Sequence, residues 1–178
     1  RNRGMNTFSN YEIFKNIRLR AETNRQEENR PHEILYFHKV DDPYSHLTIH
    51  FIEKIKSSFD VVIKPILVGE ETTEAVHEPS LYSIYCLDDA KRIAPFYDVE
   101  LSAESYPDKD LIDDSNSILA NVEERDFTEI AQKVSLSLWN GNKHSLEMLK
   151  KQYSSTQSEV KEKLEFGNKI RNEKGYYF

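Results

Sequence analysis

Two apolar runs that flank one amphipathic segment constrain the fold more than any other feature of the chain. Residues 33–40 (EILYFHKV) and 61–68 (VVIKPILV) are rich in β-branched and aromatic residues, which predicts two buried strands. Pro65 in the second run predicts an edge strand or a bulge. Between the runs, apolar residues at helical spacing predict a helix of about four turns: Leu47, Phe51, Ile52, Ile55 and Phe59. Short connections then predict a parallel βαβ unit and an α/β fold.

Composition and charge exclude several classes of protein. The 178 residues are enough for one domain with a sizeable core. The formal net charge of −7 argues against binding to nucleic acid. No apolar run approaches the roughly 20 residues of a membrane span, and the N-terminus lacks a signal-peptide core, so we expect a cytoplasmic protein without a membrane partner. Cys86 is the only cysteine, which excludes an intrachain disulfide and a redox dithiol.

Helical patterns surround the predicted βαβ unit. Residues 9–12 (SNYE) have capping-box spacing and open a helix, and the polar residues 20–32 predict a linker, so residues 1–30 form an N-terminal helix and linker. Residues 31–178 form the main domain. Further helices are predicted at 79–97, at 108–126 as a short solvated helix, from an N-cap at Asp126 to Asn140-Gly141, and at 143–174 as one helix or two broken near 154–156.

Three of these predicted helices carry a specific expectation. Cys86 lies on an apolar helical face, which predicts a packed thiol rather than a reactive one. Trp139 precedes Asn-Gly and is predicted to anchor the core at a helix end. In residues 143–174, Thr156 and Gly167 stand where a coiled-coil seam requires large apolar side chains, which disfavours pairing with another chain. The sequence does not decide whether the protein forms a homo-oligomer.

The connection between the first strand and the helix, residues 38–46 (HKVDDPYSH), holds most of the candidate functional residues. With Pro43 as the first helical residue, Asp42 is the predicted N-cap, which stabilises a helix by on the order of 1 kcal/mol. Free amides at such a helix start also bind anions. The Asp42 carboxylate competes for them and repels a second anion.

Other chemistry at this connection gives weaker alternatives. His46 and His50 lie one helical turn apart and Asp42 one turn before them, with His38 ending the strand, so a transition-metal site is an alternative to two solvent-facing histidines. Asp41 or Asp42 is an alternative general base, if adjacent carboxylates raise one another's pKa. A Ser45 nucleophile with a His46 base is disfavoured, because consecutive helical side chains do not face each other.

Two stretches resemble a known family. EILYFHKVDDPYSHL, its helix and VVIKPILV resemble the opening βαβ unit of the DsbA-like branch of the thioredoxin fold, which includes kappa-class glutathione transferases and 2-hydroxychromene-2-carboxylate isomerases. SLYSIYCLDDAKRIAPFYDVEL resembles the first helix of the helical lobe inserted in that branch. The resemblance covers about residues 33–102 and implies a thioredoxin-like domain with a helical insertion at about 78–142. It also implies a cis-proline loop and a β-hairpin, which would follow Gly175 and which this chain does not include.

The resemblance also suggests site residues. Its oxidoreductases have cysteines where this chain has Asp42 and Ser45, so dithiol chemistry is lost. Its glutathione-dependent members have a small polar residue where Asp42 stands, and Ser45 matches those members. Asp42 and Ser45 are therefore the candidate catalytic residues, and the neighbouring candidate ligand contacts are Asp41, Pro43, Tyr44 and His46.

Two functions of different classes follow from this reading. The first is a non-redox binding or scaffold module with a protein partner. The second is a glutathione-dependent isomerase or transferase that uses Ser45 at the helix start, with glutathione as its small thiol ligand and no other cofactor. Whether the chain is an enzyme stays open from sequence alone.

Overall fold

The computed structural model describes residues 10–69 and 78–175. This part of the chain is a mixed α/β structure in which helices predominate. Its elements in chain order are α1 (Tyr11–Glu27), β1 (His32–His38), α2 (Pro43–Ile49), α3 (Ile52–Ser58), β2 (Val61–Leu67), α4 (Pro79–Ile93), a 3-10 turn (Ala94–Tyr97), α5 (Lys109–Ala120), α6 (Glu124–Trp139), α7 (Lys143–Tyr153) and α8 (Gln157–Lys174).

The two predicted strands form a parallel pair, which confirms the βαβ unit. The first strand ends at His38 rather than Val40, and both strands are only partly buried, so the expectation of two buried strands is wrong in that respect. His32 pairs with Val61 and His38 with Leu67. The N–H of Val68 donates to the carbonyl of His38 at 2.9 Å, so even-numbered residues of β2 direct their backbone groups towards β1. Pro65 belongs to the odd-numbered residues of β2, whose backbone groups point away from β1. Its missing N–H therefore removes no hydrogen bond between the strands.

The connecting helix is not the continuous helix that the spacing predicts. It begins at Pro43, ends at Ile49 and resumes as α3 at Ile52. At the break, the N–H groups of His50 and Phe51 donate to carbonyls three residues back rather than four. The Thr48 hydroxyl also donates to the Tyr44 carbonyl at 2.8 Å, and hydroxyls that bond back in this way bend helices. Apolar periodicity does not report either effect.

Three other predictions about the helices are wrong in detail. Helix α1 continues to Glu27 through the predicted linker, where Glu22 accepts hydrogen bonds from Arg25 and Gln26 on the same helix. Helix α5 is not simply solvated, because its last turn is buried in the core. Helix α6 begins three residues before Phe127, with Glu123 rather than Asp126 as its N-cap residue.

The C-terminal segment forms two helices, as one of the two predictions had it. Thr156 and Glu159 form a capping box that opens α8 after the break at residues 154–156. Helix α8 then packs on β2 through Gly167, where an added Cβ would lie 2.0 Å from the carbonyl oxygen of Leu67. Only glycine permits this approach. Gly167, which is too small for a coiled-coil seam, therefore serves a contact with β2 of the same chain.

The main core lies between the sheet and α5, α6 and α7. Trp139 is completely buried there and its indole N–H donates to the Val40 carbonyl at 3.2 Å, which confirms the predicted anchor. A smaller cluster joins α2 to α4 and to the segment that follows it. Within residues 10–69 and 78–175, no helix combines the length and the apolar character needed to cross a membrane.

Candidate functional site

Asp42 caps α2 as predicted. Its backbone is extended, and its carboxylate accepts the N–H of Tyr44 at 3.3 Å and that of Ser45 at 2.6 Å. Burial raises the pKa of the Asp42 carboxyl, while hydrogen bonds from Ser45 and Tyr44 oppose the rise. The amides at the helix start are thus already bound to an acidic side chain. Pro43, the first helical residue, is buried and offers no free polar group.

Ser45 lies inside the protein, with 4% of its surface exposed. Its hydroxyl accepts the N–H of Lys39 at 3.3 Å, and its backbone N–H donates to the Asp42 carboxylate. Its carbonyl accepts the hydroxyl of Tyr36 at 3.2 Å. Both candidate catalytic residues are therefore in direct contact, but they hold the strand end and the helix start together rather than facing solvent.

Asp41 points away from this cap. Its carboxylate pairs with Lys39 at 3.2 Å, and it lies on the wall of a cleft of about 920 Å³ between α5 and α8. Burial, not the neighbouring carboxylate, is the main cause of the raised pKa of Asp42. The proposed electrostatic pairing of Asp41 with Asp42 as a general base has no support in this geometry.

Tyr44 connects the helix start to α4. Its hydroxyl donates to the Asp89 carboxylate at 2.8 Å, and burial together with this bond raises the pKa of the phenol. The Cys86 thiol lies beside Tyr44 and Tyr82. Burial raises the pKa of this thiol, so Cys86 is a packed cysteine as predicted. Sequence spacing gave no sign that the only cysteine lies next to the candidate site.

His46 faces the core, so the expectation of a solvent-facing histidine is wrong at this position. Only 1% of its surface is exposed. Its Nε2 contacts the Glu100 carbonyl at 2.8 Å and must donate, because a carbonyl only accepts. Its Nδ1 then accepts the Ser135 hydroxyl at 2.7 Å. Burial lowers the pKa of His46 to about 4, in agreement with this neutral tautomer.

The other two histidines of the alternative metal site, His50 and His38, have different surroundings. His50 is half-buried and its ring meets that of His46 edge to face at 5.1 Å. His38 is buried, and its Nδ1 lies 2.8 Å from the Tyr36 hydroxyl. Since that hydroxyl donates to the Ser45 carbonyl, Nδ1 of His38 donates to Tyr36. Burial lowers the pKa of His38 to about 3.

The alternative metal site is not assembled. Both ring nitrogens of His46 are bound to protein groups, and the Asp42 carboxylate faces the amides of α2. In the part of the chain that the structure describes, no three histidine, cysteine, aspartate or glutamate side chains are placed to hold a metal ion. The Ser45–His46 dyad is also absent, because His46 contacts Ser135 and Glu100 instead.

Comparisons of the chain with protein-family models, with curated proteins and with solved structures find no match.

Proposed function

We propose that the chain is a non-redox binding module on a thioredoxin-like scaffold. The observation that carries the proposal is the Asp42 carboxylate on the amides of Tyr44 and Ser45, because it occupies the place where an anionic reactant would be stabilised. The parallel β1–β2 pair and the two helices between the strands, α2 and α3, support such a scaffold. Where such a scaffold carries its dithiol, this chain has the Asp42 cap of α2.

Thiol chemistry has no suitable group in this chain. Dithiol exchange requires two cysteines, and the sequence has one. The Cys86 thiol is buried and its pKa is raised, so it stays protonated near neutral pH. The residue beside the candidate site therefore contributes packing rather than nucleophilicity.

Use of an external thiol such as glutathione is disfavoured by contacts at Ser45. A thiolate would have to approach a hydroxyl that is nearly inaccessible and already accepts the N–H of Lys39. It would also meet the Asp42 carboxylate, which repels a second negative charge. Binding without catalysis fits this arrangement better than activation of a thiol.

A binding role is supported by the surface next to the site. Among the described residues, helix α4 and the 3-10 turn after it expose large apolar side chains. Tyrosine and phenylalanine are common in protein interfaces, so this surface favours a protein partner. Its members are Leu81, Tyr82, Ile84, Tyr85, Phe96 and Tyr97.

The test is an NMR titration of the chain with reduced glutathione, for the wild type and for Asp42→Ser, Ser45→Ala and the control Asp41→Ser. We expect no saturable shifts at residues 41–47 in the wild type or in Asp41→Ser, and binding gained in Asp42→Ser, where the negative charge is removed from the helix start. Saturable wild-type shifts at these residues that are lost in Ser45→Ala would contradict the proposal. They would support a glutathione-dependent isomerase or transferase instead.

A further inference from the structure

We infer that the cleft between α5 and α8 binds an uncharged ligand rich in amide groups, such as a stretch of polypeptide. This inference rests on the proposed function and names the ligand class of the module. The cleft lies at the carboxyl end of the parallel strands, where Val68 and Gly69 leave β2, and its volume is about 920 Å³. Clefts of this size at this edge of a parallel sheet are common ligand sites.

An unpartnered amide in the cleft is the first reason for this ligand class. Asn116 lies on α5, and its Oδ1 atom is buried without a hydrogen-bond donor among the described residues. Buried carbonyl oxygens are almost always hydrogen-bonded in folded proteins. A ligand N–H group that reaches this oxygen from the cleft would supply the missing donor.

Two more side-chain amides lie on the same walls. The Oδ1 atom of Asn168 accepts the N–H of Gly69 at 3.1 Å, which fixes the orientation of the Asn168 side chain. Gln157 lies at the start of α8. A carboxamide carries both a donor and an acceptor, so it pairs well with a peptide group, which offers the same two functions.

The charges of the cleft are balanced, which disfavours an ionic ligand. Asp41 pairs with Lys39, and Lys109 with Asp113, each at 3.2 Å. The other lysines on the wall are Lys150 and Lys161, which pair with Asp114 and Glu165 respectively. A phosphate or another anion would have to displace a carboxylate from a lysine, whereas a neutral ligand leaves each pair intact.

The remaining walls are aliphatic. Ile112, Val160 and Leu164 line the cleft, and the lining among the described residues includes no aromatic ring. Nucleobases bind chiefly by stacking on aromatic side chains, so a nucleotide fits poorly. Aliphatic side chains of a peptide fit these walls while its backbone reaches the three carboxamides.

The cleft is tested by ¹H–¹⁵N NMR of the full chain with one neutral probe, the blocked tetrapeptide acetyl-Ala-Leu-Asn-Ala-amide. Two further probes test its charge preference: acetyl-Ala-Asp-Asp-Ala-amide and inorganic phosphate. We expect saturable shifts of Gly69, Ile112 and Leu164 with the neutral peptide, and at least tenfold weaker binding of both anionic probes. Absence of saturable binding of the neutral peptide, or stronger binding of phosphate at the same residues, would overturn the inference.

Two variants test the role of the amides, and a third serves as control. Asn116→Leu has a similar shape but no acceptor, and we expect it to weaken peptide binding at least fivefold. Gln157 is exposed, so Gln157→Ala leaves the core unchanged and tests the same wall if Asn116→Leu does not fold. We expect Gln157→Ala to bind the peptide at least twofold more weakly than the wild type. Asn172→Ala, an exposed asparagine of α8 outside the cleft, should bind as the wild type does. Equal affinity in all four proteins would refute the assignment.

The two proposals fail separately. Shifts of residues 41–47 with glutathione decide whether the module is catalytic, whereas shifts of Gly69, Ile112 and Leu164 with the neutral peptide decide whether the cleft binds amides.

Discussion

The carboxylate of Asp42 lies 2.6 Å from the backbone nitrogen of Ser45, and this contact closes the start of α2. One residue thereby caps the helix and places a carboxylate on the amides at its start. The same contact makes the site sensitive to substitution in two distinguishable ways, through the hydrogen bonds of the cap and through its negative charge.

Removing the cap should destabilise the protein. We expect Asp42→Ala to lower the free energy of unfolding by about 1 kcal/mol, because the amides of Tyr44 and Ser45 lose their acceptor. Asp42→Asn keeps the acceptor and removes a buried charge, so it should be at least as stable as the wild type. Urea unfolding followed by circular dichroism measures both. An Asn variant as unstable as the Ala variant would mean that the charge, not the cap, is what stabilises α2.

Gly167 should tolerate no side chain. In Gly167→Ala the new Cβ would lie 2.0 Å from the Leu67 carbonyl oxygen, so α8 must move off β2. We expect a loss of about 1–3 kcal/mol in unfolding free energy, in spite of the better helix propensity of alanine. The matched control is Gly69→Ala, whose Cβ would have its nearest neighbours at 3.6 Å. Similar thermal unfolding of both variants would contradict the close approach of α8.

The buried His46 should make stability depend on pH. Its pKa is lowered from 6.5 to about 4 in the folded state, so between these values the unfolded chain binds a proton that the folded chain does not. Stability is therefore lost as pH falls from 6.5 towards 4. The full contribution is roughly 3 kcal/mol, at about 1.4 kcal/mol for each unit of pKa.

The measurement is urea unfolding of the wild type and of His46→Gln between about pH 7 and about pH 5. Glutamine keeps an N–H donor but does not titrate, so the variant should lose less stability on acidification than the wild type. Some pH dependence should remain, since His38 is also buried with a lowered pKa. Identical slopes for the two proteins would show that His46 does not titrate as a buried group.

Cys86 should react slowly in the folded protein. Its thiol is buried and its raised pKa reduces the thiolate that an alkylating reagent attacks. We expect iodoacetamide to modify the native chain at least about tenfold more slowly than the urea-unfolded chain, as read by mass spectrometry. Equal rates would mean that the thiol is accessible, and the assignment of Cys86 as packing would be wrong.

Periodicity and local chemistry predicted much of the fold. The strands, the Asp42–Pro43 helix start and the stop at Asn140-Gly141 each depend on neighbouring residues, and the structure confirms them. The break at His50 was not predicted, because it depends on backbone hydrogen bonds that hydrophobic spacing does not encode. Nor was the burial of the last turn of α5, which is decided by contacts with distant helices.

The candidate site was predicted in its members but not in their environment. The sequence placed Asp42 at the cap, yet the burial of His46 depends on partners 54 and 89 residues away, Glu100 and Ser135. The position of Cys86 beside Tyr44 also arises only when α4 packs on α2. Asn116 belongs to no sequence motif, and only the three-dimensional structure shows that its Oδ1 atom lacks a hydrogen-bond partner among the described residues.

The burial of Trp139 gives the protein an intrinsic optical label. The chain has a single tryptophan, so all indole fluorescence originates at the end of α6, where the ring contacts His46 and Tyr106 and its N–H reaches the Val40 carbonyl beyond β1. Its emission reports on the junction between the sheet and the helices, without a dye or an added probe residue. Separation of these two layers would expose the indole to water and shift its emission to longer wavelength.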